Sequence, residues 1–79
     1  MFRQKQYSNN EDNSLMNRLY YLDDNDINYD KIKFWDINHN AWVDCDNLND
    51  YKIQEETVIN DELIFRIYRE NDDAGECVK

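Results

Sequence analysis

Gly75 is the only glycine of this chain, and it has no proline. Every chain reversal before Gly75 must therefore be made by a residue that carries a Cβ. The left-handed backbone region used in tight turns costs such a residue about 1–2 kcal/mol. Asparagine bears that cost best, because its short amide can bond the neighbouring backbone. It is abundant here, and it stands between apolar runs, as in Asn38-His39-Asn40 and Asn60-Asp61, while Ser8 to Asn13 is a polar break. Turns are expected at those places, with asparagine doing the work that glycine usually does.

The segments between the turns read mostly as strands. Phe2 to Tyr7 alternates loosely and suits a short strand. Ser14 to Leu22 reads two ways. Leu15, Leu19 and Leu22 fall at helical spacing, with Asn13 or Ser14 as cap. The Tyr20-Tyr21 pair favours sheet, and on that ground a strand is expected at Arg18 to Leu22. Lys31 to Ile37 alternates Ile32, Phe34 and Asp36 against Lys33, Trp35 and Ile37. With Asn38 to Asn40 as turn and Ala41 to Cys45 as return strand, it forms the expected central hairpin. Tyr51 to Ile59 alternates in part, with Tyr51 and Ile53 on one face. Asn60-Asp61 is a two-residue turn. Glu62 to Arg69 sets Leu63, Phe65 and Ile67 against Ile64, Arg66 and Tyr68. The expected fold is mainly β, or α+β if residues 14–22 form a short helix packed on the sheet. The sheet itself is expected to be small and antiparallel.

Seventy-nine residues make one small domain with a thin stability margin, spanning 1–79, with about 70–79 expected as a mobile tail. The formal net charge is −9, the sequence pI is near 4.3, and the mean hydropathy is −1.07. Those values lean toward disorder. Aromatics at 14% of the residues lean the other way, because each can bury a large area. The negative field repels nucleic acid and anionic membrane and attracts basic protein surfaces. The cations are scattered from Arg3 to Lys79 and form no basic patch, so direct nucleic-acid binding is disfavoured. No stretch approaches the roughly 18 apolar residues of a membrane span. No apolar run follows the basic residues near Met1, so a cytoplasmic location is expected, with Cys45 and Cys77 as free thiols.

Chemistry-bearing motifs are sparse. Two cysteines and His39 fall short of a Cys/His zinc set. Aligned from Asp24, the acidic run offers Asp24, Asp26, Asn28 and Asp30 at the positions of a calcium loop. Tyr29 replaces the sharp-turn glycine, however, and Trp35 stands where the closing glutamate belongs, so a solvated acidic turn is the better reading. Asp36, Asn38 and Asn40 fail similarly. His39 and Cys45 would sit across a hairpin and face different sides. No catalytic residue, metal or cofactor is expected. The acidic residues themselves remain. Asp24, Asp26 and Asp30, then Asp44 and Asp46, recur at alternate positions. In an extended chain such residues share one face about 6.7 Å apart, sparser than the one charge per about 1.7 Å of duplex DNA.

Size, acidity, the lack of a catalytic motif and a codon-cheap Asn/Ile/Lys/Tyr bias suggestive of an AT-rich genome together make the chain similar to a class of small inhibitors. These are the anti-defence proteins of phages and mobile elements, such as anti-CRISPR and DNA-mimic anti-restriction proteins. The resemblance rests on composition over the whole chain and transfers no motif. It implies a non-enzymatic viral protein in the host-cell cytoplasm that occludes a basic nucleic-acid-binding groove of a CRISPR effector or other nuclease. The expected contact residues are Asp23, Asp24, Asp26, Asp30, Asp44, Asp46, Asp50 and Trp35, with Glu55, Glu56, Asp61 and Glu62 as second choices. Of Trp35 and Trp42, on opposite arms of the hairpin, one is expected in the core and the other at an interface, and core is the better reading for either. The alternatives are an acidic structural or adaptor protein that forms a homodimer through a sheet edge, and an acidic metal-binding domain.

Overall fold

The structure, a computed structural model, describes residues 2–8, 10–25, 28–44 and 48–70. It is an α+β fold in which one helix packs on a five-stranded sheet. The elements are β1 (Phe2–Gln6), α1 (Leu15–Asp24), a 3-10 turn (Tyr29–Lys31), β2 (Ile32–Asp36), β3 (Ala41–Trp42), β4 (Lys52–Ile59) and β5 (Glu62–Tyr68). The strand order is β1-β4-β5-β2-β3.

The stretch with two readings is a helix. Ser14 caps it, its hydroxyl accepting the Asn17 N–H at 3.3 Å. Asp12 braces the cap by accepting from the Ser14 N–H at 3.1 Å and from Asn17 Nδ2 at 3.0 Å. Leu15, Leu19 and Leu22 then share one buried face. The expected strand at Arg18 to Leu22 is thereby overturned. Tyr20 and Tyr21, whose sheet preference suggested it, lie on the solvent side. Burying three leucines outweighs a propensity scale that spans only about 1 kcal/mol.

The sheet is antiparallel at three of its four interfaces. β1 pairs with β4, β4 with β5, and β2 with β3 in that sense. The fourth departs from the antiparallel expectation: β2 lies parallel to β5, with Ile32 opposite Leu63 and Asp36 opposite Ile67. Parallel neighbours need a crossover. Here the crossover lies between β3 and β4, and Val43 and Leu48, among its described residues, pack against the core. The hairpin of β2 and β3 is present, but its return arm is shorter than expected. β3 has two residues, extended by one bond from the Val43 N–H to the Phe34 carbonyl at 3.0 Å. Cys45, at the end of the expected arm, lies outside the described residues, as do Cys77 and the expected tail from residue 71 onward.

The core is Leu15, Leu19, Leu22, Ile32, Tyr51, Ile53, Phe65 and Ile67. Phe34 stacks on Phe65 with ring centroids 5.8 Å apart. The alternation read in β5 holds, and the Phe65 and Ile67 side chains are fully buried.

Turn chemistry follows from the missing glycines. Four described non-glycine residues have positive φ: Asn40 (51°), Asp50 (68°), Asn60 (51°) and Asp61 (67°). Aspartate thus shares the left-handed positions with asparagine. Two consecutive positive φ values at Asn60-Asp61 define the type I′ turn that matches strand twist, for which Asn-Gly is the preferred pair. Asp61→Gly is expected to relieve about 1 kcal/mol of strain, a rise in Tm of about 4–8 °C by calorimetry. No rise, or a fall, would mean that this turn is not under left-handed strain.

Candidate functional site

Three parts of the molecule carry enough chemistry to be weighed as a site: two buried carboxylates, one acidic end, and an uncovered sheet face.

Asp36 and Glu56 are the buried charged residues of the described chain, 1% and 6% exposed. Asp36 ends β2 on the core face, as the alternation with Ile32 and Phe34 implied. Its Oδ1 accepts the backbone N–H groups of Asn38 at 2.8 Å and His39 at 3.3 Å, closing the hairpin turn. Its Oδ2 accepts the Tyr51 hydroxyl at 3.0 Å and lies 3.1 Å from His39 Nδ1. Burial, then the hydrogen bond to Asp36, pushes the Tyr51 phenol up to about 12. The Arg69 guanidinium sits 4.3 Å over the Tyr51 ring. A His, an Asp and a Tyr within hydrogen-bond reach have the ingredients of acid–base catalysis. Here both Asp36 oxygens are already engaged and the carboxylate is closed to solvent. The cluster fastens the β2–β3 turn to the start of β4.

Glu56 is held the same way. Arg18 grips it bidentately, Nε to Oε2 at 2.9 Å and Nη2 to Oε1 at 3.1 Å, and the Tyr7 hydroxyl donates to Oε2. Burial first, then the bond to Glu56, raises the Tyr7 phenol above its ordinary range. This triad ties the end of β1, the helix and β4 together. Glu56 was a second-choice contact residue in the sequence, and the structure withdraws it from any surface. A β-bulge is the cause. The β4–β5 register shifts between Ile53 and Glu55, so the inward set runs Tyr51, Ile53, Glu56 rather than continuing to Glu55.

The remaining nominated carboxylates divide between the two ends of the sheet. β2 and β5 start at the same end because they are parallel. Asp30 immediately precedes β2, and Asp61 and Glu62 open β5. Asp23 and Asp24 close the helix, a short link away from the 3-10 turn, whose Tyr29 hydroxyl reaches back to the Leu19 carbonyl at 3.2 Å. Asp44 follows β3 toward that same end. Asp50, beside Tyr51 at the start of β4, is at the other end, and Asp26 and Asp46 lie outside the described residues. At the far end Lys5 bonds Glu11 at 2.8 Å and Lys52 bonds Glu70 at 2.6 Å, while Asp50 is exposed and, among the described residues, forms no ion pair. At the near end Lys33 pairs with Glu62 at 2.9 Å. Asp23, Asp24, Asp30 and Asp61 are exposed and, among the described residues, form no ion pair. Asp23 and Asp24 also stand in the last helical turn, which contains no basic residue. Carboxylates there oppose the negative end of the helix dipole.

The third feature is the sheet face turned away from the helix. Trp35 and Trp42 are register partners and meet edge to face, with centroids 5.0 Å apart. Neither joins the core, contrary to the core reading of the pair: Trp35 is half-buried and Trp42 is 49% exposed. With Glu55, Thr57, Ile59, Ile64 and Arg66 they line a shallow depression. The sequence signal for this face was the alternation that set Lys33 and Trp35 opposite Ile32 and Phe34.

Among the described residues no group of three or more His, Cys, Asp or Glu side chains is placed to hold a metal ion, and no helix is long and apolar enough to cross a membrane. No protein-family model matches the chain, no curated protein matches it, and no solved structure matches it.

Proposed function

We propose that the chain is a non-enzymatic binding protein that inhibits a nucleic-acid-processing enzyme, a CRISPR effector or another nuclease, by placing its acidic end in a basic nucleic-acid-binding groove. One observation carries this reading: exposed carboxylates gather at the end where β2 and β5 begin, and two of them occupy a helix terminus where they oppose the dipole. Acidity needed for solubility alone has no reason to collect where it lowers stability. Asp23, Asp24, Asp30 and Asp44 are the contact residues of this reading, with Asp61 joining them, whereas Asp50 lies too far along the sheet to share the surface.

Electrostatic capture of this kind is fast and weakens with salt. The test is a pull-down from host lysate at low and high salt, followed by competition with nucleic acid. The expected partner is a nucleic-acid enzyme that is released by salt and by its own guide or substrate strand. Retention of the same partner in the presence of excess nucleic acid would overturn the reading.

A further inference from the structure

We propose that the uncovered sheet face is the contact between two copies of this chain, which pack sheet against sheet and leave both acidic ends free. Among the described residues nothing covers that face, and its make-up is that of an interface. Trp35, Trp42, Ile59 and Ile64 form an apolar stripe across β2–β5, and Trp42 and Ile59 are among the exposed large hydrophobic residues. Charged groups rim it, as they rim protein–protein contacts generally.

Charge selects the occupant. On a chain of net charge −9 most surfaces repel a second copy. This face is locally neutral. Lys33 pairs with Glu62 at 2.9 Å, and Arg66 stands in register with Glu55 on the neighbouring strand. Two cations thus balance two anions on the depression itself, and Asp44, which lines the adjoining hollow with Trp35 and Trp42, adds one further anion at the β3 rim, where it is exposed and a self-complementary two-fold contact leaves it in water. A strongly basic partner would gain more at the acidic end than here. The sheet edges are poorer candidates than the face. β3 is only two residues long, and β1 carries Arg3 and Lys5, both features that discourage strand addition.

The area bounds the strength. Strands of five, five, two, eight and seven residues, at about 3.3 Å per residue and 4.8 Å between strands, give a footprint of roughly 430 Å² per copy. Both copies together reach roughly 900 Å², at the low end of protein–protein contacts, so a weak dimer is expected, with a Kd of about tens of micromolar. The salt dependence has the opposite sign from that of the acidic end. Salt screens the mutual repulsion of two acidic copies and strengthens the apolar contact, whereas it weakens capture of a basic partner.

Sedimentation equilibrium from about 10 μM to about 1 mM, at about 0.05 M and 0.5 M sodium chloride, tests this. The wild-type chain is expected to dimerise, with a Kd several-fold lower at the higher salt. Trp42→Glu is expected to stay monomeric in both, and its exposed position makes it a mild change for folding, which circular dichroism checks. Tyr20→Ala, on the exposed side of the helix, is expected to leave the dimer intact. A wild-type monomer throughout overturns the proposal; this is also the outcome if a segment of the same chain occupies the face. A dimer unchanged by Trp42→Glu overturns it too and moves the contact to a strand edge.

Discussion

Replacing Arg18 by methionine is expected to cost about 3 kcal/mol of folding free energy, because it strands a buried carboxylate. Glu56 is 6% exposed and, among the described residues, pairs with one cation, Arg18. Removing one partner of such a pair costs about 3–5 kcal/mol in general. The lower end applies here, because the Arg18 side chain is 31% exposed and water can reach the vacated site. A domain of this size has a total stability of about 4–12 kcal/mol, so the variant should keep about 1–9 kcal/mol and unfold at a clearly lower urea concentration than the wild type. Urea denaturation measures the loss. The double variant Arg18→Met with Glu56→Leu should recover most of it, since the desolvation penalty disappears with the carboxylate. If Arg18→Met alone costs less than about 1 kcal/mol, Glu56 is solvated and the triad with Tyr7 is not a structural tie.

Reversing the charge at the end of the helix, Asp23→Lys with Asp24→Lys, is expected to move stability and binding in opposite directions. Two lysines in the last turn favour the dipole where two aspartates opposed it, which should raise Tm by about 2–6 °C. The same change places positive charge on the surface assigned to a basic groove. Affinity for the captured enzyme is expected to fall about tenfold or more at low salt, mainly through slower association. The difference should shrink as the Debye length falls toward about 3 Å near 1 M salt. Calorimetry on the isolated variant and binding kinetics over a salt series give the two readings. A variant that is more stable and binds as well as the wild type would show that Asp23 and Asp24 take no part in recognition.

The fold was legible in the sequence wherever a local rule decides a local structure. Asn60-Asp61 was readable as a turn because few residue pairs tolerate two positive φ values in succession. The buried face of β5 was readable because Leu63, Phe65 and Ile67 alternate strictly. Asp36 could have been placed too. It shares the face of Ile32 and Phe34, and a carboxylate on a core face must find donors, as it does in Tyr51 and two backbone N–H groups. The helix was harder. Leucine spacing pointed one way and the tyrosine pair the other, and the arbiter was whether an apolar face existed for the leucines to cover. The site was legible only as a list. Residue spacing picked out the carboxylates, but it is the parallel pairing of β2 and β5 that brings Asp30 and Asp61 to one end and leaves Asp50 at the other.

The glycine-poor composition determined, without reference to any partner segment, that turns would be built on asparagine; that aspartate shares those positions, at Asp50 and Asp61, only the structure showed. It also determined an acidic molecule with an aromatic middle. Tertiary structure alone decided which acidic groups are buried and which are presented. The bulge after Ile53 turns Glu56 inward toward Arg18 and leaves Glu55 on the open face. A bulge arises from pairing between strands, and one inserted residue inverts every side chain beyond it, so sequence alternation read along β4 could not foresee it. The tryptophans were decided in the same way. Their aromatic mass suggested a core, but the helix could cover only one face of the sheet, and the register of β2 with β3 placed both rings on the other.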